Sequence, residues 1–152
     1  MKIRIEIDEK TEAPEIIIRC SRVDAEIARV QNALLDTLAE DRRLLLTKEG
    51  REYYLPPEQI LFFESASGKT FAHTADETFE IKMRLYEIEE ILPRSFIRVS
   101  KSAIVGTEKI YSIEKNITGP STIRFRGSHK QITASRQYFK ILQEKLGGNG
   151  AL

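Results

Sequence analysis

A single cysteine, two histidines and no tryptophan leave this 152-residue chain few routes to metal or disulfide chemistry. One Cys cannot close an internal bridge or build a Cys-rich zinc site, and it suits a reducing compartment. His73 and His129 are too few for a histidine cage, so no metal and no cofactor is expected. No apolar run approaches the ~20 residues needed to cross a bilayer. Residues 1–8 alternate charge with Ile and lack the continuous apolar stretch of a signal peptide. These absences predict a soluble, cytoplasmic protein. Signatures of catalysis are missing too: there is no P-loop, no Gly-rich dinucleotide turn and no nucleophile elbow. Cys20 sits in an apolar run and reads as a small buried hydrophobe, and Glu89-Glu90 fall where a solvated helix face accounts for them. An enzyme is not expected.

What remains is an ordinary globular composition, 41% hydrophobic and 31% charged, with length for one domain plus a modest extra element. The net charge of +1 hides a division. Residues 1–92 hold 13 Lys/Arg against 20 Asp/Glu, whereas residues 93–152 hold 11 against three, a swing from −7 to +8. A basic second part suits a polyanionic partner. The plainer alternative is two oppositely charged surfaces that only keep the chain in solution.

Periodicity divides the chain at a charged junction over residues 39–43. Before it, residues 2–8 read as a strand with Ile3, Ile5 and Ile7 on one face and Arg4, Glu6 and Asp8 on the other. Residues 16–20 read as a second strand. A helix follows, capped by Ser21, with Val23, Ile27, Val30, Leu34 and Leu38 on one stripe. Two strands and one helix bury little alone, so this β-β-α extension must pack on its own chain or on another copy. From residue 44 onward the pattern is mostly β. Strands are expected over 44–48, 52–55, 59–64, 70–74, 78–82, 96–99, 103–105, 109–114, 122–126 and 131–134. A short helix at 84–92 is stopped by Pro93, and a last helix begins after Ser135, with Tyr138, Leu142 and Leu146 inward. Domains are therefore placed at 1–43 and 44–148, with a frayed tail at 149–152.

Three places put cations and hydroxyls beside strand ends. Ser67-Gly68-Lys69-Thr70 sets a cation and a hydroxyl at a Gly turn. In Arg98-Val99-Ser100-Lys101-Ser102, alternation aligns Arg98, Ser100 and Ser102, while a turn would project Lys101. Thr133-Ala134-Ser135-Arg136-Gln137 opens the last helix, where backbone amides and the helix dipole favour a phosphate and Arg136 adds a bidentate donor. No helix–turn–helix pair lies in the basic segment and no zinc finger is possible. A β-rich reader of duplex DNA that uses loops is the sharper expectation. Its rival is a non-catalytic adaptor gripping an acidic protein or an anionic membrane with its basic face.

Three motifs carry a family resemblance. They are Ile60-Leu61-Phe62-Phe63-Glu64-Ser65, then Phe96-Ile97-Arg98-Val99-Ser100-Lys101-Ser102-Ala103-Ile104-Val105, then Ile132-Thr133-Ala134-Ser135-Arg136-Gln137-Tyr138-Phe139-Lys140. Over residues 44–146 the chain resembles the LytTR-type DNA-binding domain of bacterial transcriptional regulators. That resemblance implies an α+β, mostly β fold of small sheets with short helices, whose loops enter successive major grooves on one side of the DNA. It implies DNA contact through Lys69 or Thr70, through Lys101 and through Arg136; Arg98, Ser100, Ser102, Ser135 and Gln137 join them as candidate contacts by their place at the same strand ends and helix start. Lys101 stands where the family often has Asn, His or Arg, and a Lys there suits phosphate contact more than base reading. The 43 residues in front are too short for a receiver domain. The chain is similar to stand-alone members, which implies a small inhibitory membrane protein as partner. The Ile3/Ile5/Ile7 face and the stripe from Val23 to Leu38 either form a homodimer suited to repeated promoter sites or cover the sheet of their own chain.

Overall fold

The computed structural model describes residues 1–39 and 43–147. Most of the expected junction and the tail from 149 lie outside the described residues. Among the described residues, ten strands form two antiparallel sheets. The larger contains β1 (Leu44–Lys48), β2 (Arg51–Leu55), β3 (Phe62–Ala66), β4 (Lys69–His73), β5 (Thr78–Ile81), β6 (Phe96–Ser100) and β7 (Ala103–Gly106), in the order β2-β1-β5-β4-β3-β7-β6. The smaller contains β8 (Ile110–Glu114), β9 (Ser121–Phe125) and β10 (Gln131–Ala134), with β9 in the middle. Three helices accompany them: α1 (Ala25–Ala39), α2 (Leu85–Ile91) and α3 (Arg136–Gly147).

Alternation along β3 and β7 sorts the apolar side chains into two cores. Phe63 and Ile104 point into one, with Leu46, Phe79 and Ile81 beneath Leu85 and Ile88 of α2. Phe62, Ala103 and Val105 point into the other, against Ile123 and Phe125 of the small sheet and Leu142 of α3. The centre of the large sheet is thus covered on both faces, which is why residues 60–63 are all buried. Gly106 marks a close approach, since a Cβ there would lie 3.2 Å from Phe96 Cε1 and 3.4 Å from the Ile60 carbonyl.

Tight turns fix the register of the hairpins. Glu49 and Gly50 adopt φ of 52° and 77°, and Ser67 and Gly68 adopt 53° and 78°. Positive φ at both central residues matches the right-handed twist of the flanking strands. At α2, the Arg84 amide donates to Glu87 Oε1 at 3.1 Å, and Pro93 follows the helix end.

Several expectations are corrected. Among the described residues, 2–8 and 16–20 pair with no strand and so form no ladder, and Cys20, expected to be buried, is left exposed. Of the β-β-α extension the helix alone is formed. Asp24 rather than Ser21 caps it, with its Oδ1 accepting from the Ile27 amide at 3.0 Å. The expected strand at 59–64 begins instead at Phe62, because Pro57–Gln59 closes a 3-10 turn. On α3, Leu142 is buried and Phe139 packs against the same core, while Leu146 is exposed. The α1 stripe does not cover its own sheet: Val23 and Leu38 stand open, and the Arg94 amide ties α1 to the body by donating to Asp36 Oδ1 at 3.0 Å.

Candidate nucleic-acid interface

The first tip is the β3–β4 hairpin. Its two-residue turn leaves Ala66 opposite Lys69, so Lys69 stands at the start of β4. The Lys69 side chain is 60% exposed, with Nζ 3.7 Å from Glu80 Oε2 on β5. Thr70 is only 7% exposed, held between Ser65 and Ile81 of the neighbouring strands. The hairpin therefore presents its cation to solvent and keeps its hydroxyl inside.

The second tip, between β6 and β7, is held by Arg98. The register shifts between Arg98 and Ser100, leaving Val99 as an extra residue in a bulge. Arg98 Nε donates to the Ser100 carbonyl at 2.8 Å, Nη2 to the Lys101 carbonyl at 2.9 Å and Nη1 to Glu89 Oε1 at 2.8 Å. All three of its nitrogens are committed to shaping the turn. Ser100 Oγ accepts from the Ser102 amide at 3.1 Å and lies 3.4 Å from Ser102 Oγ. Lys101 and Ser102 are exposed at the apex.

The third tip is the start of α3. Ser135 is the cap, with Oγ accepting from the Tyr138 amide at 3.3 Å and its carbonyl from the Phe139 amide at 2.8 Å. Arg136 and Gln137 then occupy the first helical positions, both exposed. The positive end of the helix lies beneath them.

Two backbone hydrogen bonds bring the tips together. The Ser65 amide donates to the Ser102 carbonyl at 2.9 Å, joining the first tip to the second. The Ser135 amide donates to the Val99 carbonyl at 2.8 Å, joining the third to the second. All three accordingly lie at one end of the strands. A fourth element shares that end and was missed from sequence. Because Glu114 pairs Thr122 and Ser121 pairs Ala134, residues 115–120 emerge beside the start of α3. Lys115 Nζ sits 5.8 Å from the Phe139 ring centroid. Counting strand reversals from β10 backwards would have located this loop.

The opposite end is wired internally. His73 stacks on Phe62 at 4.2 Å, and its Nε2 lies 2.7 Å from Glu64 Oε1. Lys130, from β9–β10, lies 3.2 Å from His73 Nδ1 and donates to Thr78 Oγ1 at 3.2 Å and to the Glu77 carbonyl. Burial, aided by the Lys130 charge, holds the His73 imidazole below its ordinary value of 6.5 against the opposing pull of Glu64. Burial likewise lowers Lys130. This cluster joins the two sheets. Among the described residues no group of side chains is arranged to hold a metal ion, and no helix is long and apolar enough to cross a membrane.

Comparison with known proteins places this geometry. The LytTr DNA-binding domain family matches residues 50–147. An uncharacterized HTH-type transcriptional regulator of Staphylococcus aureus (strain MSSA476) is 30% identical over 148 residues, covering 96% of this chain and 98% of its own. A counterpart in strain MRSA252 is 29% identical over the same length. The solved LytTr DNA-binding domain of a putative methyl-accepting/DNA response regulator from Bacillus cereus superposes with a TM-score of 0.65 at 23% identity, covering 70% of this chain and 98% of that one. The helix-turn-helix label of the relatives does not describe this fold, in which β6–β10 separate α2 from α3. With its family motifs standing on the strands and turns just described, the chain belongs to the LytTR DNA-binding domain family.

Proposed function

We propose that this DNA-binding protein is a cytoplasmic transcriptional regulator that reads duplex sites through the three joined tips and acts without catalysis. Lys69, Lys101 and Arg136 reach the base edges, and Arg136 is the member best suited to a guanine, whose O6 and N7 accept a bidentate pair. Ser102, Gln137 and the first amides of α3 take phosphates and set the register. Arg98 and Ser100 act by shaping the β6–β7 turn, Ser135 by capping α3, and Thr70 by packing within its hairpin. The observation that carries the proposal is the pair of backbone hydrogen bonds from Ser65 to Ser102 and from Ser135 to Val99. They support a single contact surface in place of three unrelated loops.

Residues 44–148 form the reading part in this proposal, and residues 1–43 join two copies. Nine large apolar side chains between Met1 and Leu38 are exposed, a density that suits an interface. Two-fold pairing matches repeated promoter sites. The test is selection of bound fragments from a random duplex pool, followed by titration of wild type and of Arg136→Ala/Lys101→Ala on the selected site. A folded double variant is expected to lose preference for that site over random duplex. Unchanged affinity and preference would end the assignment.

A further inference from the structure

Among the described residues, 2–8 have no strand partner, and Ile3, Ile5 and Ile7 are 94%, 85% and 90% exposed. On the other parity stand Lys2, Arg4, Glu6 and Asp8, two cations followed by two anions, with Arg4 Nη2 2.6 Å from Glu6 Oε1. Such an order is its own complement when reversed. We infer that residues 2–8 of two copies pair as antiparallel strands about a two-fold axis at Ile5. Lys2 then faces Asp8, Arg4 faces Glu6, Ile3 faces Ile7 and Ile5 faces itself.

Directly opposed residues share a face in an antiparallel pair, so the register can be tested by shifting it. A slip by one residue sets Ile against charge on both faces. Sliding by two in either direction opposes Arg4 to Arg4 or Glu6 to Glu6. Among these registers, the one centred on Ile5 opposes every charge to its opposite and every Ile to an Ile. A two-stranded ribbon is marginal by itself. Here its six Ile side chains gain a cover from the groove between residues 16–23 and α1, lined by Ile16, Ile18, Val23, Ile27, Leu34 and Leu38. The occupant is a second copy because the strand's charge order matches its own reversal. This inference rests on the proposed dimer and is independent of which residues read DNA.

The test is sedimentation velocity on the full chain in a Cys20→Ser background. Wild type is expected to be dimeric. Arg4→Glu and Glu6→Arg should each raise the dimer dissociation constant by about tenfold, since each opposes like charges twice across the axis. The Arg4→Glu/Glu6→Arg double variant should recover the wild-type constant, and an equimolar mixture of the two single variants should form mixed dimers. Ile5→Cys should oxidise to a symmetric disulfide. None of these positions enters either core, so the fold stays intact and circular dichroism checks it. A dimer indifferent to Arg4→Glu, or a double variant as weak as the singles, overturns the strand pairing while leaving the dimer. A monomeric wild type overturns both, and leaves the apolar face to another partner such as the membrane protein expected by resemblance.

Discussion

The two ends of the strands carry similar side chains and use them in opposite ways. At one end Lys69, Lys101 and Arg136 stand at a strand start, a turn and a helix start, exposed to solvent. At the other, Lys130 spends its ammonium on His73, Thr78 and the Glu77 carbonyl, closing one sheet onto the next. Arg98 shows the same contrast within a single tip: next to exposed Lys101, its guanidinium is committed to two carbonyls and a carboxylate. A cation's role is therefore decided by what its donors already hold, and net charge along the sequence does not reveal that.

The strongest attempt to break this contrast is Arg98→Ala. It should cost about 1–3 kcal/mol of folding stability through the lost charged hydrogen bonds, and weaken DNA binding as the turn loosens. Denaturant unfolding read beside a DNA titration checks both effects. Arg136→Ala should separate them, costing about 1–3 kcal/mol in binding to a selected site with the unfolding midpoint unchanged. Gly68→Ala comes next. No atom lies within 4 Å of the added Cβ, so the cost is the backbone's alone, about 1 kcal/mol for a residue held at φ +78°. At the wired end, His73 folds with its proton affinity depressed. The unfolded chain takes up that proton first as pH falls below 6.5, so the stability His73 contributes is present above that value and is lost as the solution is acidified. Unfolding midpoints between pH 7.5 and 5.5 should fall in wild type, and more gently in His73→Asn.

Much of the fold was readable where local chemistry decides it. Strands β1 and β10 fall where alternation sets them, and the Gly50 and Gly68 turns announce their hairpins. The third tip was equally plain, because a Ser before Arg-Gln and an apolar stripe is a helix start. Non-local features escaped. Residues 2–8 have a strand's pattern but no ladder, since pairing needs a partner that periodicity cannot supply. The burial of Thr70 beside exposed Lys69 waited on the neighbouring Ile81, and the hydrogen bonding of Arg98 waited on Glu89 from α2. The turn-rich stretch at 115–120 was not counted among the tips because only the order of β8, β9 and β10 brings it beside α3.

The extra residue at Val99 has a consequence for how such proteins change their targets. With its carbonyl free to anchor Ser135, the distance from the second tip to the third is written in main chain, and the identity of each apical side chain is not. For the proposed contacts, spacing and vocabulary are then separable: the residues at positions 69, 101 and 136 could be exchanged for new letters while the ruler between them stays the same length.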